Sequence, residues 1–513
     1  MSVQKKKKKK TTIKFNNILI LLVLISSGFL IYHILLLGPI EATIRYLIIG
    51  FIILVNILFF LFKQKKSKNI ALLLMILFIG INMVLCFSIR KVYGIIDSIN
   101  KNKIVYSASL ITLKDKKIDS IDDVSKYKIG LIDDTLSVDN YIIAKEMIEE
   151  NNLDHDNDIK SYNDLLVMLK DLYDGKIDLM FVSSNYSVMF QNAEGYENIN
   201  NDVKVVLEKD KTIQKKNTSL SLLSNNTSNM KPFSVLLMGV DSEKDGLKKN
   251  AYANGDGLML LTFNPQTLNI TMMSIPRDSY VPISCRNNTK NKLTHAGWFG
   301  TDCMMQTIEN VFDVDINYYV KVNFKGVVGI VDALGGVNVE VPKRLCTDNS
   351  NRQGQVCIEK GMQTLNGEEA LVLARNRYDL KLGDIDRGYN QQLLLKALLQ
   401  KMTEVRNVNT LLEILQTVSN NLDTNLTTEE ILSFYNIFKD ILASRKYQSN
   451  DDFLNIIQIK LAGDGRKQYF SNLKANLWVY NLNEKSIKSA SHEMKVNLNK
   501  EDAVMEKVFT FNP

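Results

Sequence analysis

The chain has 513 residues, 45% apolar and 23% charged, enough to bury a substantial core divided among more than one domain, and its seven prolines argue against a long disordered tail. The net charge of +7 is concentrated at one end: residues 1–68 hold twelve Lys and Arg against Glu41 alone, a local +11 that leaves −4 for the rest. A slightly acidic remainder is a poor match for a phosphate backbone, so nucleic acid is excluded as a partner.

The basic end reads as a membrane anchor. "NILILLVLISSGFLIYHILLL" (Asn17–Leu37), "ATIRYLIIGFIILVNILFFLF" (Ala42–Phe62) and "NIALLLMILFIGINMVLCFSI" (Asn69–Ile89) are each about the 20 residues that a bilayer-spanning helix needs. Three such runs are no removable leader. Residues 1–16 form a basic tail and 17–90 three transmembrane helices. Lys5–Lys10 precede the first run, and Lys63, Lys65, Lys66 and Lys68 separate the second from the third, whereas "GPIEA" between the first two has no basic residue. The positive-inside rule therefore puts the N-terminus in the cytoplasm and everything past about residue 90 outside, in a multi-pass protein of the cell membrane. Arg45 is read as snorkelling to the outer interface.

The cysteines agree with an outer location. Cys86 falls in the third run and is expected to pack as a small apolar residue. Cys285, Cys303, Cys346 and Cys357 form an even set, suited to disulfides in an oxidising compartment; near neighbours in sequence meet most cheaply, giving Cys285–Cys303 and Cys346–Cys357. A four-thiolate zinc site is the alternative, without CxxC spacing to support it.

Residues 97–208 alternate strand-like runs such as "YKIGLI" and "KIDLMFVSS" with helix-like runs such as "YNDLLVMLKDLYDG", the pattern of a small α/β accessory domain. "DSIDDVSKYKIGLIDDTLS" followed by "IKSYNDLLVMLKDLYDGKIDLMFVSS" resembles one lobe of a type 2 periplasmic solute-binding protein. No aromatic cage or anion-binding Arg accompanies it, so a spacer or protein-docking module stands beside the ligand-sensor reading. Residues 209–231, rich in Ser, Asn, Thr and Lys, read as a linker.

Residues 232–513 form a second outer domain. The apolar run "PFSVLLMGVDS" ends at Asp241, "DGLMLLTFNP" begins at Asp256, and "NITMMSIPRDSYV" leads into Arg277 and Asp278. Buried strands with charged residues at their ends are the mark of an open α/β sheet whose ligands settle at the strand edge. "LNGEEALVLARNR" reads as a helix from Asn366, and "DRGYNQQLLLKALLQKM" as another with an acidic start at Asp384 and Asp386. Arg387 and Gln391, at i and i+4, share a face of it.

"VLLMGVDS", "GDGLMLLTFNP", "SIPRDSYV", "KLTHAG", "FKGVVGIVDALGGVNVEVP", "LNGEEALVLARNR" and "GDIDRGYNQQ" stand in the order of the LytR-CpsA-Psr (LCP) proteins, which this chain resembles over residues 232–400 in detail. Three spans and an added outer domain look most like the capsule-associated, CpsA-type branch. The resemblance implies an α/β fold, an α-β-α sandwich around a central sheet. It also implies a Mg-dependent phosphotransferase that moves an anionic or capsular glycopolymer from a polyprenyl pyrophosphate carrier to peptidoglycan, forming a phosphodiester. The family often has R-S-D-T where this chain has "NGDG" (Asn254–Gly257), and an Arg where it has Asn390.

The residues suit that chemistry. A pyrophosphate diester carries two charges and develops more on its leaving oxygen, which calls for fixed guanidiniums and a hard divalent cation. Arg277, Arg375, Arg377 and Arg387 supply the former; in an extended segment Arg375 and Arg377 would point to one side. A surface salt-bridge cluster with Asp379, Asp384 and Asp386 is the bland alternative. Lys292 resembles a basic residue of the family's pocket, Asp384 is read as orienting an Arg or starting its helix, and Gln391 as a hydrogen-bond donor to a phosphate oxygen or to the helix surface. Asp241 and Asp256 are the expected ligands of Mg²⁺ (or Mn²⁺), with Asp256 or Asp278 as proton acceptor; His295 is read as structural. Arg277, Arg375, Arg377 and Asp256 are the catalytic candidates. A lipid-pyrophosphate hydrolase, a non-catalytic scaffold and a transcriptional regulator are the rivals, the last opposed by the spans and the −4 remainder.

Overall fold

The computed structural model describes residues 2–36, 42–62, 68–99, 103–135, 137–190, 193, 195–214, 231–240, 255–348, 354–402, 404–405, 408–427, 430–431, 434, 455–471, 473–500 and 509–510. The chain divides into two compact units, one of Met1–Ser98, Ser221–Met230 and Leu426–Ser449, the other of the remainder.

The first unit contains the helices α1 (Ser2–Leu36), α2 (Ala42–Phe62) and α3 (Lys68–Ile99). Asn17–Leu36 and Ile70–Ile95 are long and apolar enough to cross a membrane. Of the three expected spans the second falls short: its described apolar stretch is Arg45–Leu61, bounded by the guanidinium at its start. Leu30 and Ile34 pack with Ile52 and Cys86, one contact set drawing on all three helices. Polar side chains join them too. The Asn82 amide donates to Ser26 Oγ at 3.1 Å and Ser27 Oγ at 3.3 Å, and the Asn56 amide to Ser27 Oγ at 3.0 Å. Without water as competitor, such interhelical bonds hold apolar helices together at roughly 1 kcal/mol each.

In the second unit, β1 (Lys103–Leu113), β2 (Lys128–Ile132), β3 (Asp158–Tyr162), β4 (Leu179–Ser183) and β5 (Val203–Gln214) form a sheet of order β3-β2-β4-β1-β5. β2 runs parallel to β3 and β4; β1 is antiparallel to β4 and β5. α4 (Ile143–Glu150) and α5 (Leu165–Tyr173) pack on it, the latter started by Asp164, whose carboxylate accepts from Leu166 and Val167 N. Of the linker expected over residues 209–231, Lys209–Gln214 belongs instead to β5 and pairs with Lys103–Ala108. Its polar composition hides a strand because its charges are neutralised across the surface, Lys209 and Lys211 both pairing with Glu146. Residues 215–230 lie outside the described residues.

The larger sheet is built from β6 (Phe233–Val240), β7 (Gly255–Asn264), β8 (Asn269–Ile275), β11 (Tyr318–Asn323), β16 (Leu422–Thr424), β17 (Asn455–Lys460) and β20 (Phe509–Thr510), in the order β16-β11-β6-β7-β8-β17-β20. The strands' period-2 alternation sends apolar residues to both faces. Leu236, Leu258, Leu260 and Met273 meet α6 (Thr301–Phe312) and α10 (Glu484–Asn497) through Met304, Ile308 and Met494. Met259, Leu261 and Met272 meet α9 (Asp384–Met402) through Leu395 and Leu399. Helices thus cover both faces of a mixed sheet. Short antiparallel pairs complete the unit: β9 (Tyr280–Ile283) with β10 (Thr289–Lys292), β12 (Val337–Val341) with β15 (Gly361–Leu365), β13 (Leu345–Asp348) with β14 (Gln355–Ile358), and β18 (Gly463–Phe470) with β19 (Ala475–Leu482). α7 (Phe324–Ala333) follows β11, and α8 (Gly367–Arg375) precedes α9. Disulfides join Cys285 to Cys303 and Cys346 to Cys357.

Candidate active site

Strand register gathers the site at one sheet edge. Asn323 at the end of β11 pairs with Val240 at the end of β6, Val240 pairs with Gly255 at the start of β7, and Leu258 of β7 pairs with Ile275 at the end of β8. The segments leaving this edge carry the candidates, as an open α/β sheet requires.

Arg277 follows β8 and is nearly buried. Its backbone N donates to Asp384 Oδ2 at 3.3 Å, while Asp384 Oδ1 accepts from the Arg387 guanidinium, also buried. Asp384 begins α9, so the carboxylate sits at a helix N-terminus and its i+3 arginine folds back onto it. A single acid therefore clasps two arginine-bearing segments. The clasp depends on close packing of α9 against β8. A Cβ on Gly388 would lie 2.8 Å from Ser274 Cβ, Ser274 Oγ donates to Gly388 O at 2.8 Å, and Gln392 Nε2 donates to Ser274 Oγ at 3.0 Å.

One helical turn beyond the arginine, Gln391 Nε2 donates to Ala374 O at 3.0 Å, tying α9 to the last turn of α8. The same amide covers Gly257, where a Cβ would lie 2.9 Å from Nε2. Only glycine gives the amide this seat beside Asp256.

Arg375 is the last residue of α8, not part of an extended segment, so it and Arg377 do not share a face as i and i+2 of a strand would. Its guanidinium stacks over the Phe324 ring at 4.3 Å, directly after the end of β11 and hence on the same edge as the clasp. Arg377 stands apart, donating to the hydroxyl of the exposed Tyr378 at 2.7 Å. Between them Asn376 is buried; its amide donates to Cys346 O and Asp379 Oδ2, both at 2.7 Å. That bond and one from Cys346 N hold the Asp379 carboxyl below its ordinary range. Asp379 thus anchors a turn to the disulfide hairpin, and Asp386 accepts from Leu382 N at 2.9 Å. Of the three acids in the alternative cluster, Asp384 pairs with an arginine, Arg387.

Lys292, at the end of β10, pairs with Asp278 at 3.0 Å. Its segment lies along the arginine loop: Leu293 N donates to Ser279 O at 2.8 Å and Thr294 N to Arg277 O at 2.9 Å. His295 is buried, stacks on Trp298 at 3.8 Å and shares a hydrogen bond with Asn291 Oδ1 at 2.9 Å. Burial first, then the charges of Lys292 and Arg277, push its pKa well below the imidazole range and keep it neutral.

Asp241 lies outside the described residues, and of Asp256 the backbone alone is described. Among the described residues no group of three or more His, Cys, Asp or Glu is arranged to hold a metal. Sequence reasoning missed Ser274, Asn291, Trp298, Phe324 and Asn376; a lone Ser late in the apolar run "NITMMSI" was the one local signal among them.

The LytR_cpsA_psr family model matches residues 194–496. An uncharacterised Staphylococcus aureus protein is 34% identical over 266 residues, 50% of this chain and 64% of that protein. The polyisoprenyl-teichoic acid–peptidoglycan teichoic acid transferase TagU of Bacillus licheniformis is 33% identical over 273 residues, 53% of this chain and 80% of that protein. The crystal structure of B. subtilis TagV matches with a TM-score of 0.43 at 27% identity, covering 53% of this chain and 99% of that one. The chain belongs to the LytR-CpsA-Psr family.

Proposed function

We propose that the protein transfers a glycopolymer from a polyprenyl pyrophosphate carrier to peptidoglycan. The observation that carries this reading is the Asp384 clasp, which fixes the Arg277 segment and the Arg387 guanidinium at the edge where Arg375 also arrives. Guanidiniums held in advance meet phosphate oxygens without reorganising as charge develops on the leaving group. The TagU relative, named as a teichoic acid transferase to peptidoglycan, supports an activity of the same class.

In the proposed step an acceptor hydroxyl attacks the phosphorus that bears the glycan. A new P–O bond forms, the bridging P–O bond of the pyrophosphate breaks, and polyprenyl phosphate leaves with the electron pair. Asp256 accepts the hydroxyl proton; Asp278 is occupied by Lys292. Arg277, Arg375 and Arg387 hold the pyrophosphate, with Gln391 and Lys292 at its flanks. Asp241 follows Val240, and Val240 pairs with Gly255, the residue before Asp256. Asp241 and Asp256 would hold Mg²⁺ (or Mn²⁺), whose charge offsets that of the pyrophosphate.

The same reading makes the protein multi-pass, with a cytoplasmic N-terminus and the site outside. The Ser27–Asn56–Asn82 bonds support α2 crossing beside its neighbours. The test incubates the full chain in lipid nanodiscs with a lipid pyrophosphate glycan and a peptidoglycan oligomer. A covalent glycan–peptidoglycan conjugate is expected, lowered at least about 100-fold by Arg375→Ala. Free phosphorylated glycan without conjugate would assign hydrolysis instead, and unchanged donor would leave binding alone.

A further inference from the structure

The hairpin of β18 and β19 carries a face the transfer step leaves unused. Gly463 and Gly465 lie two residues apart on one side of β18. A Cβ on Gly463 would lie 2.7 Å from Cε1 of Tyr480, and one on Gly465 2.7 Å from Cη2 of Trp478, so each ring fills the space over a glycine. Beyond them, Lys467 is paired directly with Trp478, and Tyr469 with Asn476. On the other face Val479 is buried and Phe470 meets Tyr280 edge-on at 5.7 Å, while Asp464 and Arg466 are exposed. Trp478 and Tyr469 remain 52% and 55% exposed, with Lys467 exposed between them. The stripe starts at the arginine loop, since Tyr480 N donates to Asp278 O at 2.9 Å and Ser279 bridges Tyr480.

We propose that this face is the acceptor platform, on which a peptidoglycan glycan strand lies across Trp478 and Tyr469 with its acidic substituents toward Lys467. A pyranose ring has an apolar C–H face and a hydroxyl rim, which suits aromatic rings interleaved with Lys467 and Asn476. A lipid tail would need a continuous apolar patch, and here a lysine and an asparagine interrupt it. The platform's continuity with Asp278 brings a bound glycan's hydroxyl to the arginine edge. This inference rests on the transfer reading for its choice of acceptor.

The test sediments the full chain, in detergent, with sacculi stripped of secondary polymers. Trp478→Ala is expected to weaken sedimentation about tenfold and to raise KM for the peptidoglycan oligomer by a similar factor with kcat changed less than twofold, while Trp478→Phe keeps most of the binding. Gly465→Ala, whose methyl displaces the indole from its seat, reproduces the loss and serves if Trp478→Ala fails to fold. Wild-type sedimentation by both folded variants overturns the platform. So does Trp478 fluorescence that responds to phosphatidylglycerol vesicles and not to sacculi. Sacculus binding lost with Trp478 in a protein that never forms conjugate leaves the platform standing and sinks the transfer reading; conjugate formed with wild-type KM by Trp478→Ala does the reverse.

Discussion

Asp384 is the single acid on which two cationic segments converge, so its removal separates electrostatic from packing effects. Asp384→Ala strands the Arg387 guanidinium in a nearly buried position. Losing one partner of a buried pair costs about 3–5 kcal/mol, and the carboxylate's partial exposure places this case at the lower end. The variant is expected to unfold at lower urea and to form conjugate at least about 100-fold more slowly. Asp384→Asn keeps the acceptor for Arg277 N but not the charge and should fall between; a wild-type rate for both would dissolve the clasp. The arginines themselves were legible, because a dense guanidinium run between apolar elements has few structural uses. Their partners were less so: Asp384 was expected to orient Arg375 or Arg377; it pairs instead with Arg387 three residues on in α9, and its contact with the Arg277 backbone depends on how β8 meets α9. That contact, separated by 107 residues, leaves no local pattern.

At the scale of elements, α9 carries Arg387 and Gln391 on a helix whose distance from β8 is set by Gly388. Gly388→Ala would raise helix propensity by about 1 kcal/mol. Against this, its methyl would meet Ser274 Cβ, an atom fixed to its own backbone, and overpacking of that kind costs about 1–3 kcal/mol. The expected net is a small loss in urea midpoint with a much larger, about tenfold, loss of conjugate formation as the helix is lifted from the edge. A more stable variant of unchanged activity would show that propensity wins and that the spacing is unimportant. The strands of this sheet were readable as apolar runs between turn signals. The end of α8 was not: the extended geometry expected at Arg375 yields to a helix that continues through it, because the capping box at Asn366 and Glu369 fixes the start and Asn376 provides the stop.

Across the larger unit, the accessory sheet and the family domain share a core. Trp298 belongs to the cluster of Leu166, Met189 and Phe190, meeting Phe190 at 5.6 Å, and Arg286 pairs with Asp134 at 3.5 Å. The same tryptophan stacks on His295, and the family domain and the accessory domain each hold a buried group, His295 and Asp139, of opposite pH response. His295 is held neutral; below its ordinary pKa of about 6.5 the unfolded chain takes a proton that the folded chain refuses, and stability falls by about 1.4 kcal/mol per pH unit as pH drops. Asp139, buried beside Ser137 and Asn140, has its pKa pushed up to about 6, burial being the main cause. Here the folded state binds the extra proton, so stability is greatest below the unfolded carboxyl's pKa of about 4 and declines as pH rises to about 6, by roughly 3 kcal/mol in all. Asp139→Asn removes that decline. Urea midpoints measured from pH 4 to 8 should show the variant equal to wild type at pH 4 and more stable above pH 6, with the acid-side loss from His295 retained. A constant offset across that range would mean that Asp139 is not protonated in the folded protein.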